Sequence, residues 1–330
     1  MNKSGNRFRI GFCALFIGLF FIAIAGTPLR AASPGYPNRP ITLIIPFPAG
    51  ATTDLGGRAL AESMEKYLKQ PVVVVNRVGG ATTVGGYALS NAKPDGYTLG
   101  FFPPFAAIPE AYTYFQEAPY TSKDIKPISA IAAPLISVVV KGDAPWNSFK
   151  DLIGFAKKNP GLKVGTAGKQ TAQHMLLTTL NKMEKTGFVG VPFSGDATNL
   201  PALLGGHISA GVMDYSVLSS LVDSKTIKIL AVVTDKRAEF AAAVPTVVEL
   251  GYPVVYVPLL GLVGPKGLPD EISEKLSGLV ATISGDKEFQ TRMRNIPLQM
   301  RYENAGSYQN SLSKYKENIL SFFKEEGLVK

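Results

Sequence analysis

The stretch Ile41-Thr42-Leu43-Ile44-Ile45-Pro46-Phe47-Pro48-Ala49-Gly50-Ala51-Thr52-Thr53-Asp54 decides how this chain is read. Ile41 to Ile45 has the length and the apolar, β-branched composition of a buried strand. A loop from Pro46 to Thr53 follows, and then a helical pattern that sets Leu60, Met64, Tyr67 and Leu68 on one face. A buried strand that passes through a loop of small residues into an amphipathic helix is how a βα-layered sheet begins.

Working outward, the same alternation recurs. Val72 to Val75 reads as a strand, and Pro94-Asp95-Gly96 as a turn into a strand from Tyr97 to Phe102. A second set opens with a strand at Leu135 to Val140. Ser148 and Asp151 then have the spacing of a capping box, before a helix with Phe149, Leu152, Ile153 and Ala156 at core spacing. Pro160-Gly161 stops that helix. Strands are expected at Lys163–Gly165, Phe188–Phe193, Ile208–Val212 and Ile227–Val233, with a helix from Thr198 to Leu204 stopped by Gly205-Gly206. In Val255 to Val263 the apolar run is interrupted by Pro258 and ended by Gly264-Pro265. From Asp270 the tail is helical, with Ile272, Leu276, Leu279 and Val280 on one face; a last helix carries Tyr308, Leu312, Tyr315, Ile319 and Phe323. The order predicts two α/β lobes, with the chain crossing near 130–136 and again near 245–258. Residues 36–133 and 251–330 then form lobe I, and 134–250 lobe II.

The amino terminus reads differently. Lys3, Arg7 and Arg9 precede an uncharged apolar run from Ile10 to Ala25, which ends in the small residues Ala23 and Ala25. This is the pattern of a secretory signal peptide over residues 1–25, and the run is shorter than the roughly 20 residues a membrane span needs. The expected location is therefore periplasmic. Cys13 is the sole cysteine and lies inside this segment, so the exported chain holds its fold by burial rather than by disulfides. At about 300 residues that is feasible, since roughly three quarters of the unfolded surface can be buried.

Three loops that run from strand to helix carry the chemistry: Pro46 to Asp54, Gly165 to Thr171, and Phe193 to Thr198. Their Gly, Ala, Ser and Thr residues let a ligand approach the backbone. Each ends at a helix N-terminus, where free N–H groups and the helix dipole favour an anion. The candidate ligand-binding residues are Phe47, Gly50, Ala51, Thr52, Thr53 and Asp54 in the first loop. In the second they are Thr166, Ala167, Gly168 and Thr171, and in the third Phe193, Ser194, Gly195 and Ala197. Ordinary βα loops capped by Ser, Thr or Asp have the same composition. Asp214, at the end of the strand Ile208 to Val212, either contacts a ligand or caps the helix beginning near Val217.

Other chemistries fail on spacing. Gly168-Lys169 is followed by Gln170 and lacks the phosphate-loop pattern. Gly79 to Gly86 is glycine-rich without a dinucleotide fingerprint. No Gly-x-Ser-x-Gly elbow exists, and His174 and His207 are the only histidines, which argues against a serine hydrolase and a transition-metal site. The formal charge is +9 with Lys and Arg scattered, so no basic stripe marks nucleic-acid binding.

Several motifs occur in order. They are Tyr36-Pro37-x-x-Pro40-Ile41 with Ile45-Pro46-Phe47-x-x-Gly50-x-x-x-Asp54, then Gln70-Pro71-Val72-Val73-Val74-x-Asn76-Arg77 and Pro94-Asp95-Gly96-Tyr97-Thr98-Leu99. Val164-Gly165-x-Ala167-Gly168 with His174, Val191-Pro192-Phe193-x-Gly195 and Val244-Pro245-Thr246 continue the series. Together they resemble the Bug-type (TctC-like) receptors of tripartite tricarboxylate transporters. The resemblance implies a two-lobed Venus-flytrap fold of the type II periplasmic binding class. It also implies a small organic acid gripped by loops of both lobes, no cofactor, no enzymatic activity, membrane transporter subunits as partners and a monomeric receptor. The same fold could instead signal through a membrane sensor protein; an exported hydrolase is the more distant alternative. Pro103-Pro104-Phe105 departs from the resemblance, and a Phe105 that faced the cleft would suit an aromatic or bulkier acid.

Overall fold

In the computed structural model the described residues are 35–112, 117–168, 171–238, 241–252, 257–296, 298–325 and 327. The segment read as a signal peptide lies outside them, as do Lys169 and Gln170 of the second loop and residues 253–256 of the return crossing.

The chain opens with β1 (Ile41–Ile45), α1 (Thr52–Leu68), β2 (Val72–Asn76), α2 (Thr83–Ser90), β3 (Thr98–Phe102), the short α3 (Pro104–Ala107) and β4 (Ile125–Pro134). It continues through β5 (Ile136–Lys141), α4 (Phe149–Lys158), β6 (Lys163–Thr166), α5 (Ala172–Glu184), β7 (Val189–Pro192), α6 (Asp196–Leu204), β8 (Ala210–Asp214), α7 (Ser219–Asp223) and β9 (Ile227–Val232). The last elements are β10 (Leu260–Pro265), α8 (Asp270–Gly285), α9 (Lys287–Arg294), β11 (Leu298–Glu303) and α10 (Ala305–Glu325).

Two sheets result. One has the order β11-β4-β10-β3-β1-β2 and the other β7-β6-β8-β5-β9. In the first, β1 pairs parallel with β2 and β3, while β10 runs antiparallel between β3 and β4. In the second, β6 pairs parallel with β7 and β8, and β5 runs antiparallel between β8 and β9. Only Leu135 separates β4 in one sheet from β5 in the other.

Side-chain alternation along the strands divides each core in two. Ile41, Leu43 and Ile45 pack with Leu60 and Met64 of α1, Leu276 of α8 and Phe289 of α9. Ile44 points the other way, toward Leu89, Phe102, Tyr308 and Phe323. The second sheet packs Val138, Val164 and Val212 against Leu152 of α4 and Leu176 of α5. Its other face buries Val139 and Met213 against Leu203 and Leu218. Met175 of α5 joins the cluster under α10 in the first lobe, and Lys182 pairs with Glu325 at 2.9 Å.

Local expectations hold in detail where one chemical feature fixes them. Ser148 and Asp151 form the capping box, with Asp151 N donating to Ser148 Oγ at 3.1 Å and Ser148 N to Asp151 Oδ2 at 3.0 Å. One expectation needs correction. Tyr67 is exposed rather than on the buried face of α1, because its hydroxyl donates to Asp286 at 2.6 Å. Gly264-Pro265 closes the apolar run from inside the strand: both belong to β10, and Pro265 is its last residue.

Candidate functional site

A cavity of about 580 Å³ lies between the two sheets, at the carboxyl ends of β1, β3, β6, β7 and β8. This is where open α/β sheets bind ligands. Pro134 and Ile136, on either side of Leu135, and Pro258 before β10 also line it. A cavity of about 700 Å³ lies elsewhere, among α8, α9, β11 and Lys236–Arg237. Two of its three arginines are committed to the fold, Arg237 to Glu249 and Arg301 to Asp235, so it is the poorer candidate.

The first lobe supplies an aromatic wall. Phe47 meets Phe105 edge-on with ring centroids 6.2 Å apart, and Phe105 meets Tyr112 edge-on at 5.9 Å. Tyr315 of α10 completes this side. Burial, with Tyr315 beside it, pushes the Tyr112 phenol well above its ordinary range, so it stays neutral. Next to the rings are Ala81 and Thr82, whose backbones are both left-handed at φ +46° and +88°. Thr82 is 4 % exposed, and its Oγ1 has no hydrogen-bond partner in the protein. Strained backbone and an unpaired buried hydroxyl both cost stability, and together they are features expected of a binding site.

The position of Phe47 follows from Asp54. That carboxylate is buried, and its Oδ2 accepts from Gly50 N and Arg58 Nε, each at 2.8 Å. Its Oδ1 accepts from Asn76 Nδ2 at 2.7 Å, and the same amide donates to Phe47 O at 2.8 Å. Burial alone would raise the Asp54 pKa; hydrogen bonds from Arg58, Asn76 and Gly50 overcome it and hold the group below the usual carboxylate range. Asp54 is thus an anionic staple for its loop.

The second lobe supplies a polar wall. Thr171 caps α5: its Oγ1 donates to Gly168 O at 2.7 Å and accepts from His174 N at 3.4 Å. Thr171, Ala172 and Gln173 face the cavity, so the N-terminal turn of a 13-residue helix opens into it. Ser194 also lines this wall, as does Asp214 at the end of β8. Asp214 N donates to Asp196 Oδ2 at 2.8 Å, tying the third loop to β8. Asp214 Oδ1 accepts from Ser216 N at 2.9 Å, so Asp214 both caps the following turn and borders the cavity. Burial pushes its pKa up to about 6; the Ser216 hydrogen bond opposes this and neighbouring Asp196 adds to it.

Of the residues singled out in the sequence, Phe47, Phe105, Ala167, Thr171, Ser194 and Asp214 border the cavity together. Others do not. Gly50 gives its N–H to Asp54, Ala51 precedes the first turn of α1, and Thr52 and Thr53 lie within that turn. Thr166 is fully buried with its hydroxyl 3.3 Å from His174 Nδ1, and Phe193 packs on the Leu203–Met213 cluster. Gly168 supplies the carbonyl that Thr171 binds, Gly195 precedes α6, and Ala197 is exposed on it. The sequence reading missed Ala81, Thr82, Tyr112, Ala172, Gln173 and Tyr315. Gly79-Gly80 was the available signal for the first two, since such a pair permits close backbone approach.

Known proteins fit this geometry. The tripartite tricarboxylate transporter family receptor (TctC) model matches residues 57–319. The chain belongs to that family. This receptor is 32 % identical to the protein BugT of Bordetella pertussis over 259 residues, which is 78 % of this chain and 79 % of BugT. It superimposes on a TctC solute-binding protein from Polaromonas, solved without ligand, with a TM-score of 0.78 at 27 % identity, covering 88 % of this chain and 99 % of the other. An R. palustris protein solved with adipate gives a TM-score of 0.73 at 25 % identity, covering 88 % and 98 %. The fold is the two-lobed binding-protein fold, and family and fold are those of solute-binding receptors.

Proposed function

We propose that this receptor is exported by its first 25 residues, captures a small organic carboxylate between its lobes, and delivers it as a monomer to the membrane subunits of a tripartite transporter. The observation that carries the reading is the N-terminal turn of α5 opening into the interlobe cavity that Thr82, with its unpaired hydroxyl, also lines. Free N–H groups and the positive end of a helix dipole favour a carboxylate without a lysine or arginine. The similar R. palustris protein was solved with adipate, a carboxylate. Lobe I comprises residues 36–133 and 251–330 and lobe II residues 134–250, and they close by bending near Leu135. Phe47, Phe105, Ala167, Thr171, Ser194 and Asp214 touch the ligand, whereas Gly50 to Asp54 act by holding Phe47. A binding role without catalysis fits the histidines: His174 is engaged by Thr166 under the α5 turn, and His207 is exposed away from the cavity.

The test is a thermal-shift screen of the protein from Gly26 onward against mono-, di- and tricarboxylates. An acid at a hundredfold excess over its dissociation constant adds about 2.7 kcal/mol to folding. An upward shift with any of them supports the reading. A folded protein that no acid stabilises would overturn it.

A further inference from the structure

The two walls differ in a way that narrows the ligand. The first-lobe wall is an edge-to-face chain of rings, Phe47 to Phe105 to Tyr112, with centroid spacings of 6.2 and 5.9 Å. Such a chain offers hydrogen-bearing edges and π faces to a further ring, which aliphatic chains match less well. The second-lobe wall has one anion-favouring feature, the α5 turn at Ala172 and Gln173, and one anionic side chain, Asp214. Among the described residues that border the cavity there is no Lys, Arg or His. One ligand carboxylate is accommodated at the helix turn. A second that approached Asp214 would meet a like charge there.

We propose that the cavity selects an aromatic monocarboxylate that also bears a hydrogen-bond donor. The carboxylate lies at the N-terminal turn of α5, the ring against Phe47, Phe105 and Tyr112, and the ligand hydroxyl or amine donates to Asp214. Ser216 holds the Asp214 carboxylate through its N, which donates to Oδ1 at 2.9 Å, and through its side chain; a carboxylate has about four acceptor sites, and the ligand donor takes a further one. Above pH 6 Asp214 is ionised, the state in which it accepts. A hydrogen bond to a charged acceptor is worth roughly 10- to 100-fold in affinity.

This inference rests on the receptor reading, and one experiment separates the two. Titration calorimetry at pH 7.5 compares 4-hydroxybenzoate, benzoate, cyclohexanecarboxylate, adipate and malate. The expected order places 4-hydroxybenzoate at least 10-fold ahead of benzoate, benzoate ahead of cyclohexanecarboxylate, and the two dicarboxylates last. Asp214→Asn is expected to shrink the advantage of the hydroxyl and to improve adipate. Phe105→Leu should erase the preference for benzoate over cyclohexanecarboxylate while leaving the protein folded. Tightest binding by adipate or malate would overturn the proposal and leave the carboxylate receptor intact. Binding by none of the five, together with no stabilisation across the wider acid screen, would remove both. The wild-type ranking needs no variant, so a poorly folding substitution does not decide the outcome.

Discussion

The two walls of the cavity are built by opposite means. On the first-lobe side the wall is mainly aromatic, with Thr82 as the exception, and charge is used behind it: Asp54 collects Gly50, Arg58 and Asn76, and Asn76 in turn holds the Phe47 carbonyl. On the second-lobe side the polar groups face the cavity themselves, as the α5 turn, Ser194 and the carboxylate of Asp214. A charge satisfied by its own lobe stabilises the empty protein. A charge or hydroxyl turned toward the cavity destabilises the empty protein and is compensated when ligand arrives. The difference predicts opposite signs for substitutions in the two walls.

The largest effect is expected at Asp54. Replacing it with Ala leaves Gly50 N and one proton of Asn76 unpaired and removes the ion pair of Arg58, which keeps its bond to Asn76 Oδ1 and is already 42 % exposed. The expected loss is about 3 kcal/mol, at the lower end for breaking a buried pair, read from urea denaturation. Its pH dependence has a definite sign. Asp54 has a depressed pKa in the folded protein, so its contribution is present above its unfolded pKa and is lost as pH falls through the folded one. The wild-type-minus-variant difference should therefore shrink on acidification below about pH 4. A difference under about 1 kcal/mol at neutral pH would show that the loop is held by something else.

Asp214 should behave in reverse. Its pKa is raised from 3.8 to about 6, so ionisation is harder in the folded state than in the unfolded one. The folding penalty is absent below the unfolded pKa, grows between about pH 4 and 6, and is complete above that. Asp214→Asn keeps the acceptor for Ser216 N and removes the charge. It should stabilise the unliganded protein by up to about 3 kcal/mol at pH 7.5, with the gain gone by pH 4. Equal stability of the two proteins at both pH values would place the Asp214 carboxylate in water instead of at the cavity wall.

Sequence reading reached the two walls unequally, for a physical reason. β1, β6, β8 and the Ser148–Asp151 cap were legible because apolar runs and cap spacing are local signals. Thr171, Ser194 and Asp214 were legible because strand ends and helix starts are local too. Phe105 was singled out only because its context departs from the family resemblance. Tyr112 and Tyr315 carry no such mark: Tyr315 lies at core spacing in α10, and its apolar neighbours Leu312 and Ile319 are buried. That both tyrosines also border the cavity depends on how α10 crosses the sheet, which periodicity does not encode. The Gly50 to Asp54 loop misled for a related reason. Its composition suits an anion, and the anion it holds is its own aspartate.

Thr82 gives the smallest expected effect and the sharpest contrast, because it lies in the aromatic wall yet follows the logic of the polar one. Its hydroxyl is buried without a protein partner, so Thr82→Val, which keeps shape and branching at the same left-handed φ, removes an unpaired polar atom and little else. The unliganded protein should gain about 1 kcal/mol, a rise of about 1 to 3 °C in Tm at this size. The bound carboxylate should lose roughly 10-fold in affinity, the lower end for a hydrogen bond to a charged acceptor. A variant that is less stable and binds equally well would mean that the hydroxyl serves the fold, and that the first-lobe wall is apolar throughout. Gain in stability with loss of affinity would instead extend the polar contacts to both lobes, giving the ligand a reason to draw them together.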